Sequence, residues 1–224
     1  GQRLLVRLRQ ELPGESILAL DVRPLPKMES SKVTFAQQSV LDPLVDLFVH
    51  HKIQTVVHLA FLLHQSRDPS RAHRINVEGA RNVLYACKQA GVKKIINLSS
   101  STVYGPHPDN PVPLTEEHKA RPPSTSQYAV HKLQCEGLLH EYAREMTDAC
   151  VSILRGCIVM GPSARNFITQ ALFRPFLIGI RGSDPPMQFV HENDLTELLL
   201  LFITKNHSGT FNVAGSGAVN YSQL

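Results

Sequence analysis

Apolar positions along the chain follow two alternating rhythms. Leu4, Leu5, Leu8 and Leu12 recur at helical spacing over Gln2 to Leu12, and Gly14 stands just beyond as a stop. Ser16 to Leu20 is a short apolar run ending in Asp21 and predicts a buried strand, and Val33 to Ala36 predicts a weaker one. A helix over Leu41 to His51 and a strand over Ile53 to Ala60 follow. Next come a long helix from about Pro69 to Ala90, stopped by Gly91, and a strand over Lys94 to Ser99. The six prolines of residues 106–123 exclude a regular element there. Beyond them the alternation resumes with a helix over Ser124 to Glu145, a strand over Cys150 to Leu154, a helix over Leu195 to Thr204 and a strand over Thr210 to Val213.

Strands separated by helices of ten or more residues predict βαβ units around a parallel sheet. The strands are almost continuously apolar, which fits a sheet covered on both faces. The expected fold class is therefore α/β, a doubly wound parallel sheet with a few late elements belonging to a second region.

Composition narrows the possible tasks. The 224 residues are 42% hydrophobic and 19% charged, which excludes a disordered, collagen-like or coiled-coil chain. The net charge of +4 is spread out, and Arg3, Arg7 and Arg9 alternate with leucines, so no nucleic acid is expected as partner. The longest apolar run, Leu198 to Ile203, falls far short of the ~20 residues that span a bilayer, so no membrane partner is expected either. Cys87, Cys135, Cys150 and Cys157 lack C-x-x-C spacing, which argues against both a disulfide framework and a metal site. They read as buried thiols of a reducing compartment, here the cytoplasm.

Three local patterns carry chemistry. Tyr128 and Lys132 are four apart on a predicted helix and share one face, where a cation beside a phenol favours the phenolate and makes Tyr128 a general acid/base candidate. Ser99 to Ser101 close a predicted parallel strand at its carboxyl end, the edge at which open α/β sheets bind ligands. Gly1 opens a helix and Asp21 ends the next strand about 20 residues on, the layout of a dinucleotide site.

Taken in order, these pieces resemble the extended short-chain dehydrogenase/reductase superfamily, particularly its NAD-dependent epimerase/dehydratase family. Gly1-Gln-Arg-Leu-Leu5 is similar to the end of its glycine-rich loop, Val56 to Ala60 to its fourth strand, and Asn76 to Asn82 to its long-helix signature. Ser99 to Gly105, Pro113 to Glu117, Pro123 to Lys132, Leu154-Arg155 with Gly161-Pro162, and Gln188 to Asp194 resemble its later motifs.

The resemblance implies a Rossmann-like cofactor domain over residues 1–155 and a partial substrate-binding region over 156–224, interleaved with the last Rossmann elements. It implies NAD as cofactor, with NADP not excluded because Arg23 lies near Asp21. Tyr128, Lys132 and Ser100 would be catalytic: the phenol exchanging a proton with a substrate hydroxyl or carbonyl, Lys132 lowering the phenol's pKa, Ser100 orienting the substrate oxygen. Gly1, Asp21, Ser39, Val40, Leu59, Ala60, Asn76 and Leu98 would line the cofactor with Tyr128 and Lys132; Ser101, Ile158 and His191 would face substrate. His131 reads as a helix-surface position. The expected partner is a small molecule with a secondary hydroxyl or carbonyl, and the expected assembly a homodimer through the two long helices.

Departures matter too. The family's first strand and first two loop glycines are not seen before Gly1, so the chain reads as an excerpt of a longer protein. Ile158 stands where sugar-nucleotide members usually carry Asn, which argues against such a substrate. The competing reading is a non-catalytic NAD(P)-binding scaffold or redox sensor; retention of Tyr128, Lys132 and Ser100 together favours the enzyme.

Overall fold

The computed structural model describes residues 1–24, 32–63, 68–172, 182 and 184–223. Helix α1 (Gln2–Glu11) leads into β1 (Ile17–Asp21) and β2 (Val33–Gln37), then α2 (Val45–His50) and β3 (Thr55–His58). The long helix forms as α3 (Pro69–His73), a π turn over Arg74–Glu78 and α4 (Gly79–Ala90), followed by β4 (Lys94–Ser100) and a 3-10 turn over Ser101–Tyr104. Then come α5 (Gln127–Glu145), β5 (Cys150–Gly156), β6 (Ile158–Met160) and α6 (Phe167–Leu172). The chain continues through β7 (Pro186–Met187), β8 (Phe189–His191), α7 (Glu192–Thr204), β9 (Gly209–Val213) and β10 (Val219–Asn220).

Every strand in the order β3-β4-β5-β9 runs parallel, and β1 pairs β2 as a separate parallel ribbon. The pleat assigns each face its core. On one side Ile95 and Ile153 meet α2, α4 and α5 through Leu44, Phe48, Val83, Leu84 and Leu139. On the other, their neighbours Ile96 and Leu154 meet α1 and α7 through Leu4, Leu195, Leu199 and Phe202. Central β4 and β5 are mostly buried, as continuous apolar runs require, whereas β1 and β3 are only half-buried. The doubly wound α/β class is thus the observed one, with parallel pairing in three pieces among the described residues, β1–β2, β3-β4-β5-β9 and β6–β8.

Three helix starts differ from the sequence expectation, each for a local reason. Residues 39–42 form a turn in which Asp42 accepts the Ser39 N–H at 2.7 Å, and Pro43 disfavours helix at the residue before it, so α2 begins at Val45. Helix α5 begins at Gln127, where Ser126 accepts the Ala129 N–H. Helix α7 begins at Glu192, three residues early, because His191 accepts the Asn193 N–H and caps it.

The proline-rich segment is ordered by polar contacts. His107 Nε2 lies 2.7 Å from the Arg121 carbonyl oxygen, Asn110 donates to the Gly105 carbonyl at 2.7 Å, and Arg121 pairs with Asp109 at 2.9 Å. Gly105 turns this loop at a φ of 73°, and a Cβ there would overlap the Arg121 carbonyl oxygen. Replacing Gly105 with Ala should cost more than ~1 kcal/mol, a fall of about 2–4 °C in Tm for each kcal/mol lost, read by thermal denaturation.

Candidate active site

The carboxyl ends of parallel strands gather the polar groups. Ser100 closes β4 opposite Gly156 of β5, is 7% exposed, and accepts hydrogen bonds from the Thr102 N–H and hydroxyl. One helical turn into α5, Lys132 is 6% exposed and donates from Nζ to the Leu98 carbonyl at 2.7 Å. Tyr128 lies one turn before it, its ring centroid 5.8 Å from that Nζ, with Ser100 hydrogen-bonded to its phenol. Ser100, Tyr128, Lys132 and the Leu98 carbonyl therefore lie together at the carboxyl end of β4.

Electrostatically the pair differs from expectation. Burial pushes the Tyr128 phenol above its ordinary value, and the Ser100 hydrogen bond pulls only partly back. Lys132 was expected to lower that phenol, but its ammonium is directed to the Leu98 carbonyl and lies 3.7 Å from the ring centroid of Phe61. Burial instead lowers Lys132 itself to about 8, against a smaller pull upward from Cys135 and Glu136.

The remaining expected residues divide. Gly1 is the N-terminal cap of α1 and Asp21 ends β1. Asp21 also accepts the Arg23 N–H at 2.9 Å. Leu59 and Ala60 are half-buried just beyond β3. Ser39 accepts the Leu41 N–H within its turn, and Val40 is buried against Gly79, where a Cβ would come 2.5 Å from it. Ser101 is half-buried in the 3-10 turn, and Ile158 pairs with Phe189 in the β6–β8 ladder.

One expectation changes, that for His131, and Asn76 and His191 take structural contacts as well. Asn76 is 1% exposed and commits its amide to the Leu62 N–H (2.7 Å), the Leu62 carbonyl (3.3 Å) and His131 Nδ1 (3.4 Å), and so anchors the segment after β3. His131 is 3% exposed against Asn76 and the His73 ring, not a surface position, because α5 packs on the π turn at this level. His191 is exposed and serves as the cap of α7.

Sequence reasoning passed over two further groups. Glu136, one turn beyond Lys132, is 1% exposed and accepts from the Ser99 hydroxyl at 2.5 Å and from Arg155 at 2.7 Å. Arg155 also donates to the Tyr104 hydroxyl at 2.9 Å. The positions 128, 132 and 136 form one helix stripe, a periodicity that could have flagged Glu136. Phe61 follows the Val56–Ala60 motif directly, but its partners lie 67 and 71 residues away, beyond any local pattern.

At the other end of the cluster, His58 Nε2 is sealed from solvent without a hydrogen-bond partner among the described residues, and burial with Lys132 nearby lowers its pKa to about 4. Unfolded histidine takes a proton near 6.5 while the folded ring resists until about 4, so stability present above pH 6.5 should be lost as pH falls through that window. A His58→Leu variant should show a flatter stability profile there in urea unfolding. Removing one partner of the buried ion pair, as in Glu136→Gln, should cost about 3–5 kcal/mol, and the double variant Glu136→Leu/Arg155→Met should recover part of it because no lone charge stays buried.

Comparison with known proteins places this geometry. A sequence model of the NAD dependent epimerase/dehydratase family matches residues 1–214. An uncharacterized protein of Mycobacterium tuberculosis is 29% identical over 230 residues, covering 100% of this chain and 61% of that protein. The chain thus spans about three-fifths of the length of such relatives. A UDP-glucose 4-epimerase of Erwinia amylovora is 32% identical over 221 residues, covering 82% of this chain and 65% of its own. Among solved structures, MoeE5 in complex with UDP-glucuronic acid and NAD superposes with a TM-score of 0.82 at 30% identity, over 99% of this chain and 75% of that one. With the family match spanning nearly every residue from the capping glycine of α1 to the last parallel strand, the chain belongs to the NAD-dependent epimerase/dehydratase family.

Proposed function

We propose that this chain carries the cofactor and proton-transfer machinery of an NAD-dependent enzyme that epimerises, dehydrates or oxidises a substrate at a secondary hydroxyl or carbonyl, with a sugar nucleotide as that substrate. The observation that carries the reading is the meeting of Ser100, Tyr128 and Lys132 at the carboxyl end of β4. Support for the sugar nucleotide comes from the UDP-glucose 4-epimerase relative and from the UDP-glucuronic acid complex. Against it stands Ile158, where the resemblance leads to Asn; the two comparisons outweigh that single residue.

The residues present fit a dinucleotide. Helix α1 opens at Gly1, and a helix N-terminus suits a pyrophosphate. Asp21 at the end of β1 would take the ribose hydroxyls and repel a 2′-phosphate, favouring NAD, although Arg23 lies 3.6 Å away. Ser39, Val40, Leu59, Ala60, the Leu98 region and Lys132 would line the rest. NAD, when bound, supplies the hydride acceptor and donor.

The chain's own residues do the acid/base work. Tyr128 takes a proton from the substrate hydroxyl as it is oxidised and returns one on reduction. Its raised pKa favours the donating form, and the Ser100 hydrogen bond is the contact that pulls the other way when the phenol acts as base. Ser100 orients the substrate oxygen. Glu136 fixes both walls by holding Ser99 and Arg155. Assembly through α4 and α5 as a homodimer is part of this reading, since Tyr85 on α4 is 57% exposed. No helix among the described residues is long and apolar enough to cross a membrane, and the proposed location is the cytoplasm.

Tyr128→Phe should lower turnover of UDP-glucose, UDP-glucuronic acid or UDP-N-acetylglucosamine by about 10²–10⁴-fold while NAD binding, followed by tryptophan-free fluorescence of NADH, stays within about twofold. Undiminished turnover in that variant would remove the assignment. Native mass spectrometry of the purified protein separates the reaction types: retained NAD favours an epimerase or dehydratase, an empty protein a dehydrogenase.

A further inference from the structure

One aromatic side chain touches both members of the proposed proton-transfer pair. The Phe61 ring centroid lies 3.7 Å from Lys132 Nζ, and the same ring meets Tyr128 edge-to-face at 5.4 Å with an interplanar angle of 84°. The ring is held in place from behind. Both backbone groups of the next residue, Leu62, are bound by the buried amide of Asn76 on the π turn, and Asn76 is itself backed by His131 of α5. The helix that carries Tyr128 and Lys132 therefore also supports the segment that presents Phe61. Lys132 has three protons to place; the Leu98 carbonyl takes one and the Phe61 face lies over the ammonium.

We propose that Phe61 is a positioning residue of the catalytic pair, its ring face holding the Lys132 ammonium beside the Leu98 carbonyl and its ring contact bracing Tyr128. The proposal rests on the acid/base reading of Tyr128 and Lys132. Phe61 exerts two effects of opposite sign on Lys132. Its bulk keeps water away, which disfavours the charged amine, while its π face attracts the cation. The burial effect is the larger in the intact protein, in keeping with the lowered value of about 8. The groups facing the Lys132 ammonium are His58 from β3, Cys135 and Glu136 from α5 and Tyr128 one turn before. Of these, Tyr128 is the one that also touches the Phe61 ring.

Separating the two effects gives a test with a sign. Phe61→Leu keeps an apolar plug and removes the π face, so Lys132 should titrate lower, by about one pH unit. Phe61→Ala admits water, so Lys132 should titrate higher, toward 10.5. Phe61→Tyr keeps the ring face and should restore the original value. The readout is ¹⁵N NMR of lysine Nζ in the full chain, with the Lys132 signal assigned by its loss in Lys132→Met. It requires neither substrate nor cofactor.

A Lys132 titration in Phe61→Leu at or above the original value overturns the proposal, as does a shift of the same sign in the Leu and Ala variants. A purely structural role for Phe61 predicts that shared sign. If Phe61→Ala does not fold, the direction in Phe61→Leu and its reversal in Phe61→Tyr decide alone. Failure of the acid/base reading appears separately, as undiminished turnover in Tyr128→Phe.

Discussion

The Glu136 carboxylate, 1% exposed, is the charge on which the site depends. A bare carboxylate at that depth would be intolerable, so its lone pairs must be filled, and two neighbouring strands supply the donors. Arg155 of β5 reaches it from the neighbouring strand and Ser99 of β4 from beside Ser100. Because Glu136 sits one turn beyond Lys132 on α5, satisfying this one group fixes the helix carrying Tyr128 and Lys132 against the strand end carrying Ser100. Arg155 continues the connection to Tyr104, whose hydroxyl donates to Asn212 of β9 at 2.7 Å, and to the carbonyl of Glu116 in the proline-rich loop. The site and the loop above it are thereby tied to the centre of the sheet.

A second constraint acts from the far side of Lys132. The segment following β3 has little regular structure to hold it, yet the amide of Asn76 binds both backbone groups of Leu62. The π turn over Arg74–Glu78 contains Asn76, and Gly79 at its end lets Val40 approach where a Cβ would come 2.5 Å from it. A widened helical turn of this kind costs regular hydrogen bonding and is favoured where a side chain must be redirected. Phe61 then lies over Lys132, so the ammonium sits between a carbonyl and an aromatic face, with little water to screen it.

Away from this cluster, Arg3 of α1 pairs with Glu192 of α7 at 2.6 Å and donates to Ser163 and Asn193. The same Glu192 accepts from the Ser163 backbone and hydroxyl. The helix proposed to face the pyrophosphate is thus bound to the turn that opens the late region. In both halves of the site, a buried or nearly buried glutamate joins elements that are distant in sequence.

By itself the sequence determined the periodic and local features. Continuous apolar strands and amphipathic helices specified the two-faced α/β sheet, and Ile95 beside Ile96 divided the cores simply through the alternation of the pleat. It also determined Tyr128 and Lys132 as helix neighbours and Ser100 at a strand end, because i, i+4 spacing and strand termini are short-range facts. What only the tertiary structure decided is what those groups meet. The direction of the Lys132 ammonium, the rise of the Tyr128 phenol, the burial of His131 and the anchoring use of Asn76 depend on contacts with residues 14 to 71 positions away. The capping of α7 by His191 was local, but histidine is an uncommon cap and was read instead for its imidazole. Desolvation and long-range contact set protonation and orientation, and neither has a period along the chain.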